Sequence, residues 1–300
     1  MSDSTRQTLS YLRNLLQDRG IQPKNKLGQN FLIDLNLMDL VIRSADLSVE
    51  DLVLEVGSGT GSLTVNLVKH AGAVMSVEID PAFAAMTDEV VPDNREKIVL
   101  LQADILKRKN EINPLVLQRL EELKQKSGCG RIKLVANLPY AVATPVISNL
   151  LLTDLKIERM IVMVQLEIGL RLMASPGTKD YGALSVLTQS LADVSMVREI
   201  PSKAFWPMPK VASAIMQIMP SQGKKTHVGN PQDFRDFLRD LYSHRRKNLR
   251  GALSSMAGRE WSKEEIDARL LKIGMDGTIR AETLDLEQHL LLSRTFAKKS

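Results

Sequence analysis

Leu52-Val53-Leu54-Glu55-Val56 is a short apolar run that passes directly into Gly57-Ser58-Gly59-Thr60-Gly61, and then into a helical pattern from Ser62 to about His70. A buried strand, a glycine turn and a helix in succession mark a nucleotide-type cofactor site in an open α/β sheet. The glycines let the backbone approach the ligand, and the helix N-terminus faces it. Two more strands are expected, Ala73 to Val77 leading to Glu78-Ile79-Asp80, and Ile98 to Leu101 leading to Gln102-Ala103-Asp104. Glu78 stands at the distance from the glycines at which a carboxylate accepts both ribose hydroxyls, and Asp104 is placed to accept from an adenine amine. The glycine pattern is G-x-G-x-G, not the G-x-G-x-x-G that holds a pyrophosphate, and no phosphate-binding lysine follows. Glu55, Glu78 and Asp104, each near the end of a strand, would repel a phosphorylated cofactor. A ribose, an adenine and a positive centre suit them better, which points to S-adenosylmethionine ahead of NAD.

A second stretch marks the same sheet edge. Ile132-Lys133-Leu134-Val135 reads as a buried strand, followed by Ala136-Asn137-Leu138-Pro139-Tyr140 and by Thr144-Pro145, which reads as a helix N-cap with proline in the first helical position. Pro139 has no N–H and biases Leu138 away from helix. The Leu138 carbonyl and the Asn137 side-chain oxygen can then accept both hydrogens of an exocyclic amine, and Tyr140 offers a ring to stack on a base. The plain alternative is a strand-to-helix turn that happens to contain a proline.

The chain is 300 residues long, enough for two domains. Its one cysteine, Cys129, excludes an intrachain disulfide and fits a reducing cytoplasm. The start, Met1-Ser2-Asp3-Ser4-Thr5-Arg6, lacks the apolar core of a signal peptide, and no apolar run is long enough to span a membrane. Residues 1–220 carry 24 basic and 24 acidic side chains, whereas 221–300 carry 16 against 11, so the whole net charge of +5 lies in the tail. That asymmetry suits a polyanionic partner, and a solvated basic surface nearly as well.

A helix is expected over residues 4–19, then a basic loop with Lys24 and Lys26, which is either a phosphate contact or plain surface. A helix is also expected from Pro114 to Lys126. Phe205 and Trp206 sit in a loop stiffened by Pro207 and Pro209, where they either pack in the core or face a ligand. Residues 221–225 read as a linker. A helix from Phe234 to about Leu253 is expected to carry Arg245, Arg246, Lys247 and Arg250, a basic cluster able to neutralise phosphates. No metal-ligand spacing is present, and the four histidines are scattered.

Together, Gly28-Gln29-Asn30-Phe31-Leu32, the Glu55–Gly61 run, Asn137-Leu138-Pro139-Tyr140, Tyr181-Gly182-Ala183-Leu184-Ser185, Ala204-Phe205 with Pro209-Lys210-Val211, and the Arg245-Arg246-Lys247 and Arg280-Ala281-Glu282 stretches resemble the rRNA adenine dimethyltransferases, within them the type acting on small-subunit rRNA. The resemblance runs from about Lys26 to Leu290. It implies a class I (Rossmann-like) methyltransferase domain over 1–220 and a small all-helical, basic, RNA-binding domain over 221–300. It implies that Asn30, Leu32, Gly57, Gly59, Gly61, Glu78, Asp104 and Asn137 hold S-adenosylmethionine. Asn137, Leu138, Pro139 and Tyr140 would hold the target adenine, with Phe205 stacking from the other side. The implied substrate is a pair of adjacent adenosines near the 3′ end of small-subunit rRNA, in an immature ribosomal subunit. The sequence departs from the family pattern in a longer 105–131 connection, in Ala212 where an acidic residue is usual, and in Trp206 beside Phe205. A large-subunit methyltransferase of the macrolide-resistance type and a non-catalytic RNA-binding assembly factor are the rival readings. A monomer is expected, since no self-complementary apolar stripe stands out.

Overall fold

The computed structural model describes residues 8–24, 27–91, 95–256 and 261–297. The described chain forms two compact units: residues up to Gly169 with Ser195–Pro220, and Leu170–Val194 with the residues from Ser221 onward. Residues 170–194 thus join the C-terminal residues, which the single expected boundary at 220 does not include. The reason is local: Gln189 Nε2 donates to the Leu172 and Ala174 carbonyls (3.0 and 2.9 Å), and the helix Ala183–Gln189 packs on the helix Pro231–Ser243.

The strands in chain order are β1 (Phe31–Leu32), β2 (Asp51–Val56), β3 (Ala73–Glu78), β4 (Ile98–Gln102), β5 (Leu106–Arg108), β6 (Glu111–Ile112), β7 (Arg131–Asn137), β8 (Ile157–Gln165), β9 (Ala192–Ile200), β10 (Phe205–Trp206) and β11 (Ser213–Pro220). Seven of them form one sheet in the order β4-β3-β2-β7-β8-β11-β9. The pairs among β4, β3, β2, β7 and β8 are parallel, and β11 runs antiparallel to β8. Counting sheet strands along the chain, this is the order 3-2-1-4-5-7-6. It reverses between β2 and β7, and the crevice beyond the carboxyl ends of those two strands is where open sheets of this kind bind ligands. Both β2 and β3 are buried along their whole length, as expected of parallel strands covered on both faces.

Within the first unit, Val53, Val74, Val135 and Ile161 of the central strands share a core with Leu63, Leu67 and Met38. At the far end of β2 and β7, Asp51 and Lys133 pair at 3.1 Å with almost no exposure, and Lys133 Nζ also donates to the Ala45 and Asp46 carbonyls. Burial pushes the Asp51 carboxyl up, but the Ser48 N–H, Lys133 and Arg131 outweigh it and hold it below the ordinary carboxylate value. The buried lysine thus stays in the middle of an apolar strand only because its charge and donors are all met.

Several expected boundaries move. The first helix runs Leu9–Asp18 with Leu12, Leu15 and Leu16 buried, and residues 4–7 lie outside the described residues. The helix after β7 starts at Tyr140, not Pro145: the N–H groups of Val142 and Ala143 donate to the Pro139 carbonyl (3.0 and 3.1 Å), closing the first turn earlier and leaving Pro145 inside the helix. The expected linker forms a helix, Gln222–Val228, capped by Ser221, because Lys224 Nζ finds Gln189 O, Ala192 O and Asp193 at 2.7–3.2 Å. The expected helix from Phe234 to Leu253 is two, Pro231–Ser243 and Leu249–Leu253. The Leu249 and Arg250 N–H groups go to the Ile279 and Gly277 carbonyls (2.8 and 3.0 Å), so the helical ladder breaks; Arg245, Arg246 and Lys247 lie on the turn between the two helices and Arg250 in the second. In the 105–131 connection, the helix Pro114–Ser127 follows a short β5–β6 hairpin. Among the described residues no helix is long and apolar enough to cross a membrane, and no group of side chains could hold a metal ion.

Candidate active site

At the reversal of strand order the first unit carries a cavity of about 260 Å³. Its lining includes Asn30, Leu32, Gly57, Gly59, Glu78, Asp104, Asn137 and Pro139, drawn from five separate stretches of chain. Gly61, Leu138, Tyr140 and Phe205 stand outside that lining. Phe31, from the Gly28–Leu32 motif, also faces the cavity, as do Met38, Ala141 and Val142, to which the sequence assigns no role.

The glycine turn works as the motif requires. Gly57, Gly59 and Gly61 all have positive φ (82°, 54° and 76°). A Cβ on Gly59 would stand 2.8 Å from the Phe31 ring, and one on Gly61 would run into Val90, so the turn needs glycine both for its backbone and for its space. Gly61 is the residue before the helix Ser62–His70 and lies outside the cavity lining.

The carboxylates divide into two kinds. Glu78 accepts the Gly59 N–H on Oε2 (3.0 Å) and the Asp80 N–H on Oε1 (2.9 Å), which aims the group at the cavity it lines. Burial raises its pKa. Asp104 is exposed at the rim, with Oδ1 held by the Leu106 N–H (2.8 Å). Glu55 differs from its expected role. It is fully buried behind the glycine turn, with Oε2 taking the Thr64 and Ser76 hydroxyls (2.6 and 2.7 Å), so it does not face a ligand. Successive residues of a strand point to opposite faces, and this one turns toward the helix Ser62–His70.

Asn137 closes the other wall. Its Nδ2 donates to the Asn30 carbonyl at 2.7 Å, and only an amide nitrogen can fill that role. The bond therefore fixes which end of the amide is the free acceptor. Tyr140 is half-buried, its hydroxyl 2.8 Å from the Ser213 hydroxyl, and burial raises its pKa. Phe205 is 2% exposed and pairs with Leu32 in the β1–β10 ladder, so the loop expected there is a short strand and the ring is part of the core. Trp206 pairs with Phe31 and lies under Arg13, 5.8 Å from the ring centre.

Of the basic candidates, Lys26 lies outside the described residues. Lys24 pairs with Asp80 at 2.9 Å. In the second unit, Arg245 pairs with Glu282 (2.9 Å) and donates to the Lys179 and Tyr181 carbonyls, Lys247 reaches Ser255, and Arg250 pairs with Asp267. Arg246 is exposed.

The model of the ribosomal RNA adenine dimethylases matches residues 20–297. The chain belongs to that family. Curated relatives agree along nearly the full length. A "Ribosomal RNA small subunit methyltransferase A" of Lachnoclostridium phytofermentans is 36% identical over 92% of both chains. One of Pediococcus pentosaceus is 37% identical over 91% of this chain and 89% of the relative. Among solved structures, a dimethyladenosine transferase from Plasmodium falciparum superposes with a TM-score of 0.67 at 22% identity, covering 86% of this chain and 94% of that one. The 23S rRNA methyltransferase ErmE gives 0.59 at 24%, covering 89% and 100%. Both show the same fold, that of a class I methyltransferase. The chain is thus an S-adenosylmethionine-dependent rRNA adenine dimethyltransferase. The cavity fits that cofactor: it offers glycine backbone for close approach, two carboxylates and, among the described residues, no cationic side chain in its lining.

Proposed function

We propose that this enzyme dimethylates the exocyclic amines of two adjacent adenosines near the 3′ end of small-subunit rRNA, within an immature subunit, as a cytoplasmic monomer. The oriented Asn137 amide at the edge of the cofactor cavity carries the reading. In it, Gly57, Gly59 and the Asn30–Leu32 segment enclose the cofactor, Glu78 accepts from its ribose and Asp104 from its adenine. When bound, S-adenosylmethionine supplies an electrophilic methyl group on a sulfonium.

The chain's own part is positional. An adenine amine is a weak nucleophile because its lone pair is delocalised into the ring. The Asn137 oxygen and the Leu138 carbonyl accept its two hydrogens, draw it out of the ring plane and aim the lone pair at the cavity. Such positioning contributes up to ~7–11 kcal/mol. Tyr140, steadied by Ser213, stacks on the base once it is swung out of its helix. Stacking from the second side by Phe205 requires that ring to leave the core position it fills here. The domain with the basic turn at 244–247 binds RNA, Arg246 foremost. The names of the curated relatives support the small subunit over the large one.

The test is mapping of methyl groups by mass spectrometry after incubating undermodified small and large subunits separately with the protein and S-adenosylmethionine. Dimethyladenosine at neighbouring adenosines of the small-subunit RNA, abolished by Asn137→Ala, is the expected result. Methylation only in the large subunit overturns the substrate, and full activity of Asn137→Ala overturns the site.

A further inference from the structure

Asn137 is oriented by a backbone carbonyl, and the segment bearing that carbonyl is itself anchored elsewhere. Asp80 caps the helix Pro81–Val90, accepting the Ala82 N–H on Oδ1. Its Oδ2, on a side chain only 1% exposed, receives both Lys24 Nζ at 2.9 Å and Gln29 Nε2 at 3.1 Å. Gln29 Oε1 in turn accepts the Lys24 N–H at 2.6 Å, so the three residues close a ring of hydrogen bonds. Burial favours a neutral Asp80, but Lys24, Gln29 and the Ala82 N–H outweigh it and keep the group ionised. The next residue along, Asn30, gives its carbonyl to Asn137. One residue before, Gly28 (φ 66°) lies so close to the Pro139-Tyr140 turn that a Cβ there would stand 3.3 Å from the Tyr140 nitrogen. Asp80 also donates its own N–H to Glu78, so one residue touches both walls of the cavity.

We propose that Asp80 is a positioning residue for methyl transfer: through Gln29, which Lys24 also holds, it anchors residues 27–30, so that the Asn30 carbonyl holds the Asn137 oxygen toward the target amine. The inference rests on the role of Asn137 given above. An amide that loses its Nδ2 partner is free to turn over and would then offer N–H groups to an amine that needs acceptors. The effect falls on the transfer step and leaves the grip on RNA alone.

The experiment compares Gln29→Glu, Lys24→Met and Lys24→Arg with the wild-type chain and with Asn137→Ala. It measures the single-turnover methyl-transfer rate at saturating S-adenosylmethionine and RNA, the RNA affinity and the melting temperature. Gln29→Glu keeps the acceptor for the Lys24 N–H and sets a like charge against Asp80. It is expected to slow transfer by about tenfold to a hundredfold with RNA affinity unchanged. Lys24→Met should slow it less, and Lys24→Arg should restore the wild-type rate. Wild-type transfer by Gln29→Glu and Lys24→Met, with only the melting temperature lowered, overturns the inference while a dead Asn137→Ala leaves the site reading intact. A fully active Asn137→Ala overturns both.

Discussion

Glu78 and Glu55 are the same residue type on adjacent strands, and their hydrogen bonds give them opposite uses. Backbone N–H groups, those of Gly59 and Asp80 among them, hold the Glu78 oxygens on the cavity wall. Glu78→Gln keeps the shape but replaces one acceptor with a donor, leaving either the Gly59 or the Asp80 N–H facing an NH₂ group. Cofactor affinity should fall by ~1.5–3 kcal/mol, the worth of a hydrogen bond to a charged group. Calorimetric titration with S-adenosylmethionine checks this, and unchanged affinity would remove Glu78 from the site. The spacing from the glycines singles out Glu78 in the sequence, but that Glu55 turns away from the cavity was beyond it. Both strands are buried on both faces, so their composition carries no alternation to show which way a given side chain points.

At the scale of elements, the strands β2, β3, β4 and β7 were legible to within a few residues, because a continuous apolar run between turn residues is a strong pattern. Helix ends were less so where tertiary partners supply the missing hydrogen bonds, and the basic turn at 244–247 is the consequential case. A helix would have presented Arg245, Arg246 and Lys247 around its surface. On the turn, Arg245 instead reaches Glu282 and two carbonyls of residues 179 and 181. Arg245→Ala should therefore lower the melting temperature of the second unit, leaving Glu282 only its longer pair with Arg280 and two carbonyls without this donor, with a smaller change in RNA affinity than Arg246→Ala. Arg246→Ala should leave stability alone and reduce the slope of log affinity against log salt by about one. Filter binding across a salt series, paired with thermal melts of both variants, separates the roles; equal effects on binding would mean that Arg245 leaves its ion pair to meet RNA.

Over the whole molecule, Glu55 in the first unit and His289 in the second are buried titratable groups whose equilibria oppose each other. In the first unit burial pushes Glu55 from 4.5 up to about 7, with Thr64 and Ser76 only partly compensating. Between those values the unfolded chain has released a proton that the folded chain keeps, so stability falls as pH rises, by about 3 kcal/mol in all. In the second unit burial pulls His289 from 6.5 down to about 4, its ring wedged between the Asp285 carbonyl (2.7 Å) and the Tyr242 hydroxyl (3.0 Å). There the unfolded chain binds the proton first, so stability falls as pH drops from 6.5 toward 4, by a similar amount of about 3 kcal/mol. Neither group advertises itself in the sequence: His289 is one of four scattered histidines, and Glu55 reads as a ligand-facing carboxylate until the packing is known. From these two groups the wild-type chain should show little net change in stability between about pH 4.5 and 6.5, where the slopes cancel. Removing one exposes the other. Glu55→Gln, whatever its absolute stability, should become more stable from pH 5 to pH 6.5, and His289→Phe should become less stable over the same interval. Denaturant unfolding of the three proteins at those two pH values decides it. Parallel pH dependence in all three would mean that neither buried group changes its proton occupancy on folding.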